Sequence, residues 1–348
     1  MTIPANQIIC GDCTEVMREW PDNSVDLIVT DPPYFKVKNE AWDRQWDKPD
    51  AFLRWLDGVL AELHRILKPN GSLYLCASPQ MAARVECLIA ERFNVLNHIR
   101  WVKDAGWHKK TEKDALRSYL SPWESIIFAE HHGADNIAKG EAGYVAKCDE
   151  LRGFVFEPLR AYLAGEWSRA GLTPGDANKA TDSQMAGHYL TRSQWTLPTE
   201  EKYDQLRQYA NTNGTVYLRR EYEELRREYE ELRREYEELR REYEELRRPF
   251  AVTPDVPYTD VWTFPTVQAY KGKHPCEKPL AMMKHIITAS SKPGALMLDP
   301  FAGSGSSCVA ASALGRDYIG IDISAAYCDI ARNRVANTEA SLFAEATA

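Results

Sequence analysis

No stretch of the chain reaches the roughly eighteen consecutive apolar residues that a membrane-spanning helix needs, and Met1–Cys10 lacks both a basic start and the apolar core of a secretory leader. Neither a span nor a signal peptide is expected, and the cytoplasm is the expected compartment. Positive charge is also short. Lys and Arg number 43 against 51 Asp and Glu, a net charge of −8, so bulk charge cannot hold the protein on a polyanion and any nucleic-acid contact must be local. Local candidates are Lys103, Lys109, Lys110, Lys113 and Arg117, and separately Lys271, Lys273 and Lys278. The eight cysteines are scattered, mostly inside apolar runs, which indicates reduced core thiols and no disulfide framework. Cys10 and Cys13 form a C-x-x-C with no second pair at zinc spacing, so no metal is expected.

What is present centres on Asp31-Pro32-Pro33-Tyr34, which follows the apolar run Val25–Val29. The run reads as a buried strand and the four residues as a rigid loop at its carboxyl end, where open α/β sheets hold their ligands. Two prolines fix φ near about −65° and remove two N–H donors, so the carbonyls here point outward and the backbone cannot relax. A carboxylate beside such a carbonyl can accept both hydrogens of an exocyclic amino group, and Tyr34 offers a face on which a base can stack. The pattern suits an amine that must act as a nucleophile.

The flanking chain alternates strand and helix. A strand over Asn6–Cys10 ends on Gly11-Asp12-Cys13, and a helix runs from Thr14 to about Trp20. The residues from Tyr34 to Asp50, with Lys36, Lys38, Trp42, Asp43 and Trp46, have no period and predict a long loop of the kind that covers or clamps a substrate. Apolar residues from Phe52 to Leu67 recur at helical spacing up to a stop at Lys68-Pro69-Asn70-Gly71. A strand at Ser72–Ala77, a helix near Gln80–Glu91 and strands at Val95–Lys103 and Glu124–Ala129 follow. This alternation predicts a mostly parallel sheet with helices on both faces.

From about Gly133 the alternation stops. Thr173 as N-cap, Pro174 at the first helical position and Asp176 open a small helical unit over Thr173–Gln208. Its loop from Gly187 to Trp195 carries His188, Arg192, Ser193 and Gln194, side chains able to touch base edges and phosphates. Then the heptad Glu-Tyr-Glu-Glu-Leu-Arg-Arg occurs four times from Glu221, aligning Tyr222, Tyr229, Tyr236 and Tyr243 with Leu225, Leu232, Leu239 and Leu246 on one stripe. One helix over Leu218–Arg248, about 46 Å long, is predicted to stop at Pro249. Its stripe suggests a self-association arm and a homodimer; a charged helix lying along its own body is the alternative. The expected division is therefore 1–132, 133–217, 218–248 and 249–348.

The α/β pattern then returns. His274-Pro275-Cys276-Glu277-Lys278-Pro279 opens a helix, and a strand at Ala295–Leu298 runs into Asp299-Pro300-Phe301-Ala302-Gly303-Ser304-Gly305-Ser306. Gly303 and Gly305 permit a sharp turn and close approach of a ligand, and the helix Ser307–Leu314 points its N-terminus there. The next strand ends on Asp322, 23 residues after Asp299, near the spacing at which a Rossmann-type acid reaches a ribose diol. No third glycine and no second mononucleotide half appear, so a nucleoside smaller than a dinucleotide is expected.

Together D-P-P-Y, H-P-x-x-K-P, D-P-F-A-G-S-G-S and the acid-ended strand resemble the S-adenosylmethionine-dependent amino-group DNA methyltransferases. Their order, catalytic loop first and glycine loop last, is similar to the permuted β group, of N6-adenine type. The resemblance covers residues 7–130 and 255–335. It implies an α/β fold, a Rossmann-like methyltransferase sheet of seven strands, mixed, with helices on both faces, to which a helical target-recognition insert and the heptad helix are added. It also implies that Asp31 and Pro32, beside Pro33, bind the target amino group while Tyr34 stacks on a flipped base. Phe301, Gly303 and Gly305 would wrap the methionine part of the cofactor, Asp299 and Lys278 orient it, Asp322 hold the ribose hydroxyls, and Asp12 with Cys13 the adenine. The family's acid after the second strand is usually glutamate, so Asp322 is one carbon short. Double-stranded DNA is the implied partner. D-P-P-Y goes with adenine N6 more often than with cytosine N4, which stays as the alternative; cytosine C5 chemistry needs a Pro-Cys nucleophile, and Pro275-Cys276 lies inside H-P-x-x-K-P. An RNA or protein-amide methyltransferase and a DNA-binding regulator with a dead core are the rival readings; motif order speaks against the first, intact Asp31 and Tyr34 against the second. No nuclease motif accompanies these, so a stand-alone modification enzyme is expected.

Overall fold

Alternate residues of one apolar strand set the two faces of the core. The structure, a computed structural model, describes residues 3–103, 114, 116–131, 144–192, 195–252, 258–268, 270 and 273–346. In β2 (Val25–Thr30), Ile28 points into a cluster with Met17, Phe52, Leu56, Leu60 and Leu63, while Leu27 and Val29 point into another with Tyr74, Met283, Ile286 and Val309. A strand covered on both sides belongs in the middle of a sheet.

The other strands are β1 (Gln7–Cys10), β3 (Leu67–Ala77), β4 (Asn94–Val102), β5 (Trp123–Glu130), β6 (Val261–Trp262), β7 (Leu296–Asp299) and β8 (Asp317–Asp322), in the spatial order β1-β8-β7-β2-β3-β5-β4-β6. The run from β1 to β3 is parallel, and β5 is antiparallel to both of its neighbours. Seven of the eight strands among the described residues stand where the apolar runs put them. The additional strand, β6, has two residues and pairs with β4 through Arg100↔Val261 and Trp101↔Trp262. It is too short to leave a period in the sequence. β2 and β7 are neighbours, with Leu27 opposite Met297 and Ile28 opposite Leu298. The D-P-P-Y and glycine loops therefore leave the same edge of the sheet.

Helices α1 (Cys13–Arg18), α2 (Pro49–Ile66) and α3 (Ala82–Ala90) contribute to the first cluster; α9 (Leu280–Ser290), α10 (Ser306–Ala313) and α11 (Ala325–Ala346) contribute to the second. None of the described helices is long and apolar enough to cross a membrane. α1 opens a residue earlier than its periodicity suggests because the Asp12 carboxylate caps it, accepting the Thr14 and Glu15 amides at 2.8 and 3.2 Å. α2 ends at Ile66, at the expected stop, and β3 begins at Leu67, earlier than the expected Ser72. Leu67 pairs with Val25 and Ser72 with Leu27, and a bulge in β3 absorbs the excess residues.

The chain divides into two compact units, 1–134 with 248–348, and 135–247. The second contains α4 (Tyr144–Val155), α5 (Glu157–Arg169), α6 (Pro174–Ala180), α7 (Glu200–Ala210) and α8 (Tyr222–Leu246). α6 begins at the predicted Thr173, with Asp176 completing a reciprocal capping box. α8 starts four residues later than expected, because Leu218 is held in a left-handed backbone with φ 51° and gives its amide to Glu166 at 3.0 Å. Its apolar stripe is covered inside this unit: Leu225 and Tyr236 are buried, and Tyr229 stacks on Phe156 at 5.3 Å. From Tyr222 to Leu239 the stripe thus packs, fully or in part, against its own unit.

Candidate active site

One cavity opens at the carboxyl ends of β1, β2, β7 and β8, and both sequence-distant loops line it. Asp31, Pro32, Pro33 and Tyr34 contribute from one side, Asp299, Phe301 and Gly303 from the other, with Asp12, Cys13, Lys278 and Asp322 at the same walls. Gly305 stands just outside this lining, as the N-cap of α10 with φ 75°.

Asp31 carries a divided carboxylate. Its Oδ2 pairs with the Lys278 ammonium, and its Oδ1 is buried with no hydrogen-bond partner. A buried acceptor left open is costly, and such a cost persists where a ligand donor meets it. Burial raises the Asp31 pKa, Lys278 works against that rise, and nearby Glu124 adds to it. Lys278 is only 7% exposed. Burial disfavours its charge, but the Asp31 and Glu124 carboxylates outweigh burial and hold the ammonium well above its usual range.

Glu124, on β5, lies outside every motif. Its Oε2 accepts the Tyr34 hydroxyl at 3.2 Å and stands 3.5 Å from Lys278 Nζ, while its Oε1 pairs with Lys103. Tyr34 is buried, with Lys278 Nζ 5.2 Å from its ring centre. Lys103 and Lys278, named above as candidate nucleic-acid contacts, are thus members of a charge cluster and are not free surface cations. Of the other candidates, Arg117 bonds carbonyls of its own loop and Lys273 the Val267 carbonyl, while Lys109, Lys110, Lys113 and Lys271 lie outside the described residues.

The segment after Tyr34 is a long loop with one short 3-10 turn, Ala41–Asp43. The fully buried Asp43 fastens it, accepting the amides of Tyr34 and Lys38. No motif marks Asp43 or Glu124; a polar residue at a core position is their only sequence signal.

On the other wall, Asp299 is buried, accepts the Ser307 hydroxyl and takes the Phe301 amide at 3.1 Å. Burial pushes its pKa up to about 7, against the pull of those donors. Asp322, at the end of β8, accepts the Gly303 amide at 2.9 Å and the Ser324 amide at 2.8 Å, one on each oxygen. Ile323 beside it lines the cavity while 71% exposed, an apolar surface that the sequence reading missed. His274 packs on Tyr327 at 4.4 Å, and burial with the nearby Lys278 holds its pKa down to about 4. It is neutral at physiological pH. Asp12 reaches the same cavity while capping α1, and burial pushes the Cys13 thiol up to about 12.

The base-reading candidates belong to the second unit. His188 lies in a 3-10 turn, Ala186–Tyr189, and exposed Arg192 pairs with Glu157 at 3.3 Å; Ser193 and Gln194 lie outside the described residues.

A parallel sheet with an open acceptor, a glycine turn and an acid-ended strand around one cavity defines an α/β enzyme of the nucleoside-binding kind. Residues 25–333 match the N6_N4_Mtase family model, described as DNA methylase, and the chain belongs to that family. It is 27% identical over 337 residues to the DNA adenine methyltransferase YhdJ of Escherichia coli (strain K12), covering 95% of this chain and 83% of that protein. It is 22% identical over 341 residues to the type II methyltransferase M2.MboI of Moraxella bovis, covering 93% and 85%. Its fold is similar to the solved PvuII DNA methyltransferase (cytosine-N4-specific), with a TM-score of 0.52 at 11% identity, over 98% of this chain and 93% of that one.

Proposed function

We propose that the protein is a site-specific DNA methyltransferase that moves a methyl group from S-adenosylmethionine to the N6 amino group of an adenine swung out of duplex DNA. The observation that carries this reading is the buried, unpartnered Oδ1 of Asp31, a residue that lines the cavity shared with the glycine loop. An amino hydrogen satisfies that oxygen, and accepting it draws the nitrogen lone pair out of conjugation with the ring, which makes a poor nucleophile better. Extruding the base costs roughly a few kcal/mol of stacking and pairing. Pro32 and Pro33 keep the acceptor from relaxing, and Tyr34 supplies a wall for the base.

The other wall fits a nucleoside bearing a sulfonium. Asp322 spends one lone pair of each oxygen on backbone amides and keeps the others for vicinal hydroxyls, and Ile323 offers an apolar face for a purine. When bound, S-adenosylmethionine supplies an electrophilic methyl group. Asp299 and the turn at Phe301, Gly303 and Gly305 would hold its amino-acid end, Lys278 would act through Asp31, and Asp12 with Cys13 would border the adenine. Adenine is preferred over cytosine N4 on the D-P-P-Y loop and the YhdJ likeness. The second unit, with His188, Arg192, Ser193 and Gln194, would read the target sequence. We further propose that α8 works within its own chain, so that a homodimer, if formed, uses another surface.

Incubation of tritiated cofactor with plasmid DNA, and in parallel with RNA, followed by digestion to nucleosides, should give N6-methyldeoxyadenosine from the DNA. N4-methylcytosine would replace the adenine assignment, and labelled RNA with unlabelled DNA would reject a DNA enzyme. Asp31→Ala should abolish transfer while equilibrium dialysis still detects cofactor binding.

A further inference from the structure

The sheet carries a negative charge into the site from a strand that no motif includes. Glu124 on β5 touches three members of the cluster: Tyr34 through its hydroxyl, Lys278 at 3.5 Å, and Lys103. Lys278 in turn pairs with one oxygen of Asp31. The cluster holds two carboxylates and two ammonium groups, so it is neutral as a whole, and it is sheltered: the side chains of Asp31, Glu124 and Lys278 are 19%, 17% and 7% exposed. Were Lys278 free to turn, it could bridge both Asp31 oxygens and occupy the acceptor that is now unpartnered. Glu124, 3.5 Å from Lys278 Nζ, attracts the ammonium and opposes such a turn.

We propose that Glu124 is a positioning residue for the transfer: it anchors Lys278 and the Tyr34 hydroxyl so that one oxygen of Asp31 is occupied and the other stays open to the amino group. The proposal rests on the methyl-transfer reading given above. It assigns Glu124 no contact with the base or the cofactor. Its effect reaches Asp31 by charge and by geometry.

The groups facing Asp31 are few. Lys278 approaches from the segment before α9, Glu124 from β5, Tyr34 from the same loop, Cys76 from β3, Cys276 from the H-P-x-x-K-P segment, and Asp299 from the end of β7. Burial pushes the Cys76 thiol far up and the Cys276 thiol to about 11, so both stay neutral through the acid range. Burial lifts the Glu124 pKa, but Lys278 and Lys103 outweigh it and keep Glu124 ionised, and an ionised Glu124 makes Asp31 harder to ionise. Two substitutions should therefore move Asp31 in opposite directions. Glu124→Gln removes a negative neighbour, which lowers the Asp31 midpoint; Lys103→Gln removes the counter-charge of Glu124, which raises it.

The titration of Asp31 is read directly in the full-length protein without cofactor, by carbon-13 NMR of aspartate labelled at the carboxyl carbon, with the Asp31 signal assigned by its loss in Asp31→Asn. A downward shift of about half a pH unit or more is expected for Glu124→Gln, and an upward shift of similar size for Lys103→Gln. In methyl transfer, the acid limb of the kcat profile should follow the same signs, with KM for the cofactor within about twofold of the parent and kcat reduced about five- to tenfold in Glu124→Gln. Midpoints that stay put, or that move the same way in both variants, would overturn the proposal. Should Glu124→Gln not fold, Lys103→Gln alone keeps the test, since its side chain is a quarter exposed. A parent protein that transfers no methyl to DNA would refute the proposed function, while the Asp31 titration would still decide the role of Glu124.

Discussion

The carboxylate of Asp43 accepts the backbone amide of Tyr34 at 2.6 Å from nine residues away, and its second oxygen accepts the amide of Lys38 at 2.5 Å. Between those two amides, Phe35 and Lys36 hold φ values of 65° and 63°, a left-handed pair that contains no glycine. Such a conformation costs on the order of 1 kcal/mol or more per residue and persists only when something over-determines it. Asp43 does so. Asp43→Ala leaves two amides unpaired and should slow single-turnover methyl transfer at least about tenfold while lowering the thermal midpoint, a loss of on the order of 2 kcal/mol. Parent rates in this variant would show that the clamp is irrelevant to the catalytic loop.

Two glycines in the same unit should respond oppositely to one methyl group. At Gly305, with φ 75°, an added Cβ would lie 2.8 Å from the Ala331 Cβ. Gly305→Ala should cost about 1–3 kcal/mol of stability and weaken cofactor retention. At Gly58, inside α2, a Cβ meets nothing within 4 Å, so Gly58→Ala should stabilise by about 0.5–1 kcal/mol. Denaturant unfolding of both variants checks the pair, and equal signs would contradict the packing described.

Asp299 should tie stability to pH. Its folded pKa, about 7, lies above the ordinary 3.8 because burial penalises its charge. The proton is therefore held more tightly in the folded state. The associated stabilisation is complete below about pH 4 and fades as pH rises towards 7, beyond which a buried charge must be carried. Asp299→Asn removes that burden, so its melting temperature relative to the parent should be higher at pH 8 than at pH 5. A difference that is flat across this window, measured without cofactor, would refute the shift.

The heptad helix should matter to its own unit. Leu225 is fully buried against the helical core, whereas Leu232 is half-buried. Leu225→Ala is expected to cost about 2–4 kcal/mol, and Leu232→Ala less. Removing two heptads should leave the sedimentation mass per assembly unchanged apart from the deleted residues. A drop from dimer to monomer would restore the self-association arm.

Much of the fold was legible because its signals are local. The apolar run before Asp31, the helical spacing from Phe52 to Leu67 and the capping box at Thr173 each depend on residues a few positions apart, and each element appears where its pattern lies. The boundaries that moved did so for distant reasons. α8 begins late because Glu166 takes the Leu218 amide, and β3 begins at Leu67, before the expected Ser72, because Leu67 pairs with Val25 of β2. At the site, D-P-P-Y and the glycine loop were visible as motifs. Glu124, Asp43 and Ile323 were not, since a lone acid or isoleucine leaves no pattern in a strand or a loop.

By itself, the order of residues determined the pieces: a rigid proline loop after a buried strand, glycines able to take a left-handed turn, an acid closing β8, and a striped heptad helix. Only the tertiary structure decided their partners. It brought Lys278 to Asp31 across 247 positions and Glu124 to Tyr34 across 90, and it laid the heptad stripe against its own chain. The reason is physical. Backbone preference acts over neighbouring residues and so is written in sequence, whereas the pairing of buried charges and the covering of an apolar face depend on which surfaces the fold brings together, and many sequences of the same local pattern would leave those choices open.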